Sequence, residues 1–216
     1  MPQGSAETEA RIFAAAAEEF AAHGFEGARV DSIARKAGVN KALLYYYIGD
    51  KNTLYTSLII RTFEEVRKTL DSHLEGERSP ESRMRSFVAN ISEAIRARPW
   101  LPSLILREAA NGGADLSEDA RAALNGIFAT FQSELASAMS SGAFRGVNPI
   151  VAHFLGLGGI LFSFTAARML QTFPGPGRAP APDEIPGAVS DLLLNGLLPR
   201  QAPACGAGVL NICLPL

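Results

Sequence analysis

The 216-residue sequence predicts an all-α protein with a three-helix head, a long connecting helix and a larger helical body. Apolar residues recur at three- and four-residue spacing through most of its length, the period of a helix with one buried face. Helix start and stop residues frame these runs, whereas clear alternating strand patterns are almost absent.

Taken in order, Ser5 is expected to cap a first helix in which Ile12, Phe13, Ala16, Ala17 and Phe20 form one stripe and Gly24 marks the stop. A short second helix fits Asp31 to Ala37, with Asp31 at its positive N-terminal end and Gly38 at its stop. Asn40 caps a third from Lys41 to Tyr47, and Asp50 caps a long fourth reaching about Leu74. LEGERSP, residues 74–80, reads as a polar linker. Further helices are expected over 81–97, 100–110, 117–141, 149–171 and 183–198, with the proline- and glycine-rich connector PGPGRAPAP before the last.

Composition narrows the function. The formal net charge of −2 argues against indiscriminate coating of nucleic acid but leaves room for a local basic face. Cys205 and Cys213 are too few and too late to staple a fold, which fits a reducing cytoplasm, and MPQGSAETEAR does not open as a secretory signal. Nothing matches HExxH, GxSxG, a phosphate-binding loop or a dinucleotide fingerprint, and the three histidines are scattered. Neither catalytic residues, a metal site nor a cofactor is therefore expected. Residues 150–167 lack any charged side chain and approach the length of a membrane span, but His153, Ser163, Thr165 and three glycines interrupt them. A helix buried on nearly all sides explains the segment better, and no membrane partner is expected.

The second and third helices, joined at Gly38-Val39-Asn40, have helix-turn-helix spacing, in which the first helix braces and the second enters the DNA major groove. Ile33, Ala34, Ala37, Val39 and Leu44 supply the small core of the pair. Lys41 can reach a guanine edge or a phosphate, and Ala42 and Leu43 can touch a thymine methyl. The hydroxyls of Tyr45 and Tyr47 and the ammonium of Lys51 suit phosphate oxygens. Tyr46 completes the exposed-looking aromatic run and is expected to turn inward against the fourth helix.

The run DSIARKAGVNKALLYYYIGDKNTLY resembles the DNA-binding head of the TetR family of bacterial transcriptional regulators. Ile33-Ala34, Ala37-Gly38-Val39, Asn40, Leu44-Tyr45-Tyr46 and Lys51 carry the likeness, which extends over about residues 7–58. Tyr47 and Ile48 stand where such proteins usually have His and Phe, and Arg29 lies in a turn commonly rich in threonine. The candidate DNA-contacting set is therefore Arg29, Lys41, Ala42, Leu43, Tyr45, Tyr46, Tyr47 and Lys51. The resemblance implies a ligand-responsive DNA-binding regulator, by default a repressor at a palindromic operator, working as a homodimer in the cytoplasm. An activator, a ligand-independent regulator, a membrane adaptor and an enzyme are the competing readings.

On this reading residues 1–50 form the DNA-binding head, 51–200 a ligand-binding and dimerisation body, and 201–216 an apolar tail of unknown role. The apolar stretch 150–167, with Gly156, Gly158 and Gly159, and the leucine-rich 188–198 suit a self-complementary interface made by the last two helices. Trp100, Phe128, Phe131, His153 and Phe154 are the candidate lining of a site for a small apolar effector. Arg107 and Glu108 are expected to form a surface pair.

Overall fold

The structure, a computed structural model, describes residues 3–74, 79–170 and 181–198. Among the described residues the chain forms nine helices and no strand. The linker is seen at its ends alone, most of the proline-rich connector and the whole tail 201–216 with both cysteines lie outside the described residues.

Helix α1 (Gln3–Gly27) begins two residues ahead of Ser5, so Ser5 sits within its first turn and is not the start of the helix. Gly24 adopts φ 72°, ψ 176°, a conformation that glycine reaches without strain, and only one further turn follows. A β-carbon at Gly24 would stand 3.0 Å from Cδ of Arg107, so the position also lets a distant helix approach closely. α2 (Val30–Ala37) ends at Gly38 with φ 67°, where the Val39 N–H donates to the Ala34 carbonyl at 3.0 Å and closes the helix end. α3 (Lys41–Ile48) starts at Asn40, whose side-chain oxygen accepts the Leu43 N–H at 2.7 Å. Asp50 caps α4 (Lys51–Leu74) in the same way through the Thr53 N–H at 2.7 Å.

The head is small, and a helical unit of this length buries too little surface to stand firmly by itself. Its core of Ile12, Ala16, Phe20, Ile33 and Leu44 is continued by Leu54, Tyr55 and Leu58 of α4 in one buried cluster that runs into the body. Each fully buried side chain of this size contributes roughly 1.5–3 kcal/mol, so the continuation is comparable to the head's own core.

The body comprises the C-terminal part of α4 with α5 (Pro80–Ala97), α6 (Leu101–Ala110), α7 (Glu118–Ser140), α8 (Pro149–Leu170) and α9 (Ile185–Leu197). Ser79 and Ser117 cap α5 and α7, each accepting an N–H at 3.1 Å. Helices α4 and α7 pack along one another, α5 lies on α9, and α8 rests on α9. Arg83 of α5 pairs with Glu134 of α7, and Arg85 meets Asp191 of α9 at 2.8 Å.

One expectation fails here. Helix α8 is not buried on nearly all sides: of its uncharged window Pro149–Ala166 only 33% is buried. Ala152, His153, Ile160 and Leu161 face the body, while Ile150, Val151, Phe154, Leu155 and Phe162 stand more than half exposed. Apolar residues occupy both sides of the helix, and the described residues supply neighbours for one side. Gly156 lies against Leu193 of α9, whereas Gly158 and Gly159 face open space. By length and composition α8 is the one described helix that could span a membrane, a test that core helices also pass.

Candidate nucleic-acid interface and effector cavity

Helix α2, which carries α3 beside it, is held to α1 by a residue that the sequence reading passed over. Glu19 is 3% exposed. Its carboxylate accepts from Ser32 Oγ at 2.8 Å, from the Arg29 N–H at 3.4 Å and from Lys36 Nζ at 3.0 Å. Burial alone would raise this carboxyl, but the three donors together hold it below its ordinary value. Its spacing was informative, because Glu19 follows Ala16 by three and Ile12 by seven, on the buried stripe of α1.

Helix α3 buries Leu44 and Ile48 and turns its other faces outward. Lys41 and Ala42 are exposed, Leu43 is 38% and Tyr45 42% exposed. Tyr46 does not pack inward: at 81% it is the most exposed large hydrophobic side chain among the described residues, and its ring stands edge-on to that of Tyr47. Helical geometry explains this, since Tyr46 lies 200° around the helix from Leu44 at about 100° per residue. Tyr47 lies three residues from Leu44 and is the half-buried one, lining a shallow cleft with Phe13 and Ile60.

Both candidate lysines already have partners. Lys41 Nζ meets Asp31 at 2.9 Å, and that bond raises the ammonium above its usual range. Lys51 Nζ donates to the Glu26 carbonyl at 3.1 Å and lies 4.8 Å from the centre of the Phe25 ring. Arg29 occupies the position before α2 with its side chain exposed.

In the body a cavity of about 310 Å³ lies between α4, α6, α7 and α8. Ile59, Phe63, Leu104, Leu124 and Leu161 form its apolar walls, with Phe128 of α7 and Phe154 of α8. Phe131 and His153 stand behind this wall: His153 stacks on Phe128 at 3.9 Å and meets Phe131 edge-on at 5.0 Å. His153 is 1% exposed, neither ring nitrogen has a hydrogen-bond partner, and burial lowers its pKa to about 4. Trp100 lies elsewhere. As the residue before α6 it lines a separate cleft with Ala10, Phe13 and Arg98, so the aromatic set divides between two places.

Arg107 and Glu108 are not a surface pair. Adjacent residues of a helix diverge by about 100°, and here they serve different neighbours. The Arg107 guanidinium reaches the Ala22 carbonyl of α1 at 3.1 Å. Glu108 is 7% exposed, lines the cavity, and accepts a hydrogen bond from the hydroxyl of fully buried Tyr55. Burial raises the Glu108 carboxyl and, with Glu108 beside it, the Tyr55 phenol. The Tyr55 ring in turn packs on Phe20 at 4.7 Å and Phe25 at 5.1 Å, the latter under Lys51. No local pattern announces a contact between residues fifty-three positions apart.

Comparison with known proteins finds relatives of the head and of the fold. Residues 12–58 match the family model described as bacterial regulatory proteins, tetR family. The chain is 36% identical over 114 residues to the HTH-type transcriptional repressor SCO4008 of Streptomyces coelicolor, covering 52% of this chain and 56% of that protein. It therefore spans only about half the length of that relative. It is 26% identical over 198 residues to the HTH-type transcriptional repressor NicS of Pseudomonas putida, covering 88% of this chain and 92% of the other. Among solved structures, the regulator FadR of Bacillus subtilis in complex with stearoyl-CoA superposes with a TM-score of 0.70 at 18% identity, over 87% of this chain and 98% of that one. At that identity the likeness concerns the fold.

Proposed function

We propose, for a chain that belongs to the TetR family of bacterial transcriptional regulators, the role of a homodimeric cytoplasmic repressor that a small, largely apolar effector releases from a palindromic operator. The observation that carries the reading is the outer face of α3, where Lys41, Ala42, Leu43, Tyr45 and Tyr46 stand in solvent on a helix braced by α2 and α4. Residues 1–50 act as the DNA-binding head and 51–200 as the body. In the complex Tyr45, Tyr46 and Tyr47 approach phosphates, Lys41 exchanges Asp31 for DNA, and Arg29 and Lys51 flank the groove.

Dimer formation falls to α8 and α9. Ile150, Val151, Leu155 and Phe162 with Leu192 present an apolar surface that water does not favour, and a two-fold axis would cover it with its own copy. The two recognition helices then meet half-sites about 34–36 Å apart, or a multiple of that spacing.

Coupling runs through α4 and α6. Both contribute cavity walls, and both touch the head, α4 through Tyr55 and α6 through Arg107. An effector that fits the cavity better in one tilt of α4 shifts the population toward that tilt and changes the separation of the recognition helices. By linkage, DNA weakens effector binding by the same factor. Footprinting on DNA upstream of the protein's own gene tests the reading: a palindromic protected site is expected, and binding without sequence preference would refute it.

A further inference from the structure

We propose that the effector is an amphiphile bearing one protonated amine, its hydrocarbon part filling the cavity and its N–H pointing at Oε2 of Glu108. The proposal rests on the cavity being the effector site. Among the described residues lining it, Glu108 alone has an ionisable side chain, and every other lining side chain is apolar or absent, as in Gly113 and Gly158. The two carboxylate oxygens differ. Oε1 accepts from the Tyr55 hydroxyl, whereas Oε2 is buried without a hydrogen-bond partner. A buried acceptor left unmatched costs free energy that a donor on a ligand recovers.

The sign of the ligand charge follows from what surrounds this oxygen. From α4 the group facing Glu108 is the neutral Tyr55 phenol, and Asp115, beyond α6, adds a second negative charge to its field. Arg107, next in sequence, is directed to the carbonyls of α1. Among the described residues no lysine, arginine or histidine lines the cavity. Burial holds the Glu108 carboxyl above its ordinary value, the state of an acid that lacks a cation. An ammonium supplies both the missing charge and the missing donor. A fatty acid carboxylate brings a like charge, and the phosphates of an acyl-CoA find no cation on these walls. An alcohol can bond Oε2 but leaves the charge unbalanced. At about 310 Å³ the cavity takes a single small hydrocarbon unit.

Titration calorimetry on the full-length protein with decylamine, 1-decanol and decanoate, all below their aggregation limits, separates these head groups on one hydrocarbon chain. Decylamine is expected to bind about 10- to 100-fold more tightly than decanol, the range of a charge-assisted hydrogen bond, with decanoate weakest. Glu108→Gln should bring the amine down to the alcohol's affinity and leave the alcohol unchanged. Leu124→Trp, which narrows the cavity, should weaken the amine and the alcohol together. Equal affinity of amine and alcohol, tighter binding of decanoate, no binding of any probe, or amine binding indifferent to Leu124→Trp would each overturn the assignment. Operator affinity measured on the same samples tests the release mechanism separately. Amine binding without DNA release would refute release and leave the ligand class standing, and DNA release by another ligand class without amine binding would do the reverse.

Discussion

Two buried glutamates, one in the head and one in the body, are treated in opposite ways. Glu19 is surrounded by three donors that hold its carboxyl below its ordinary value. Glu108 has one donor, one unmatched oxygen and a raised carboxyl. His153, also in the body, has no partner for either nitrogen. The head thus spends its buried polarity on fixing one geometry, as a reader of DNA spacing requires. The body leaves buried polar atoms unmatched beside a cavity, an arrangement that is incomplete until something binds.

The contrast breaks most visibly at Glu19. Glu19→Ala takes the shared acceptor from the Ser32 hydroxyl, the Arg29 N–H and the exposed Lys36 ammonium, and losing these bonds to a buried carboxylate is expected to cost about 3–4 kcal/mol in urea unfolding, with DNA binding lost alongside. Next comes His153. Its folded pKa of about 4 lies below the ordinary 6.5, so the unfolded chain takes up a proton first as the pH falls. The stability present above pH 6.5 should decline by about 3 kcal/mol on going to pH 4 and level off below that. A His153→Leu chain should lack this part of the decline.

Glu108 carries the opposite sign from Glu19. Its raised carboxyl favours folding below the ordinary carboxylate pKa of 4.5, and that advantage is lost as pH rises through the folded value. Glu108→Gln should accordingly raise the melting temperature at neutral pH, with the gain fading toward pH 4.5. Tyr45→Phe removes one hydroxyl from an exposed ring and should weaken operator binding about fivefold across sequences, with the fold unchanged. The smallest effect is expected from Asp31→Ala. Freeing Lys41 from an exposed ion pair should strengthen DNA binding about two- to fivefold at low salt, as read by fluorescence anisotropy.

The helices and their limits were largely legible because short-range chemistry sets them: Asn40, Asp50, Ser79 and Ser117 each bond an N–H three residues on. The missed features depend on distant partners. Glu108 looks like any surface charge until Tyr55 is placed beside it, and Trp100 looks like a cavity aromatic until α6 turns it toward α1. Tyr46 and Tyr47 were misread, Tyr46 as turned inward and Tyr47 as outward, although helical period alone puts Tyr46 opposite Leu44. The open side of α8 was half legible: its composition announces burial but cannot say whose atoms provide it.

Phe154 belongs to two surfaces at once, the wall of the cavity and the uncovered side of α8, where it is 58% exposed. Whatever covers that side therefore reshapes the mouth of the cavity. If a second copy covers it, as proposed, effector affinity would depend on protein concentration, because subunit pairing is itself a matter of mass action. A cell holding few copies and a cell holding many would answer the same dose of effector at different thresholds.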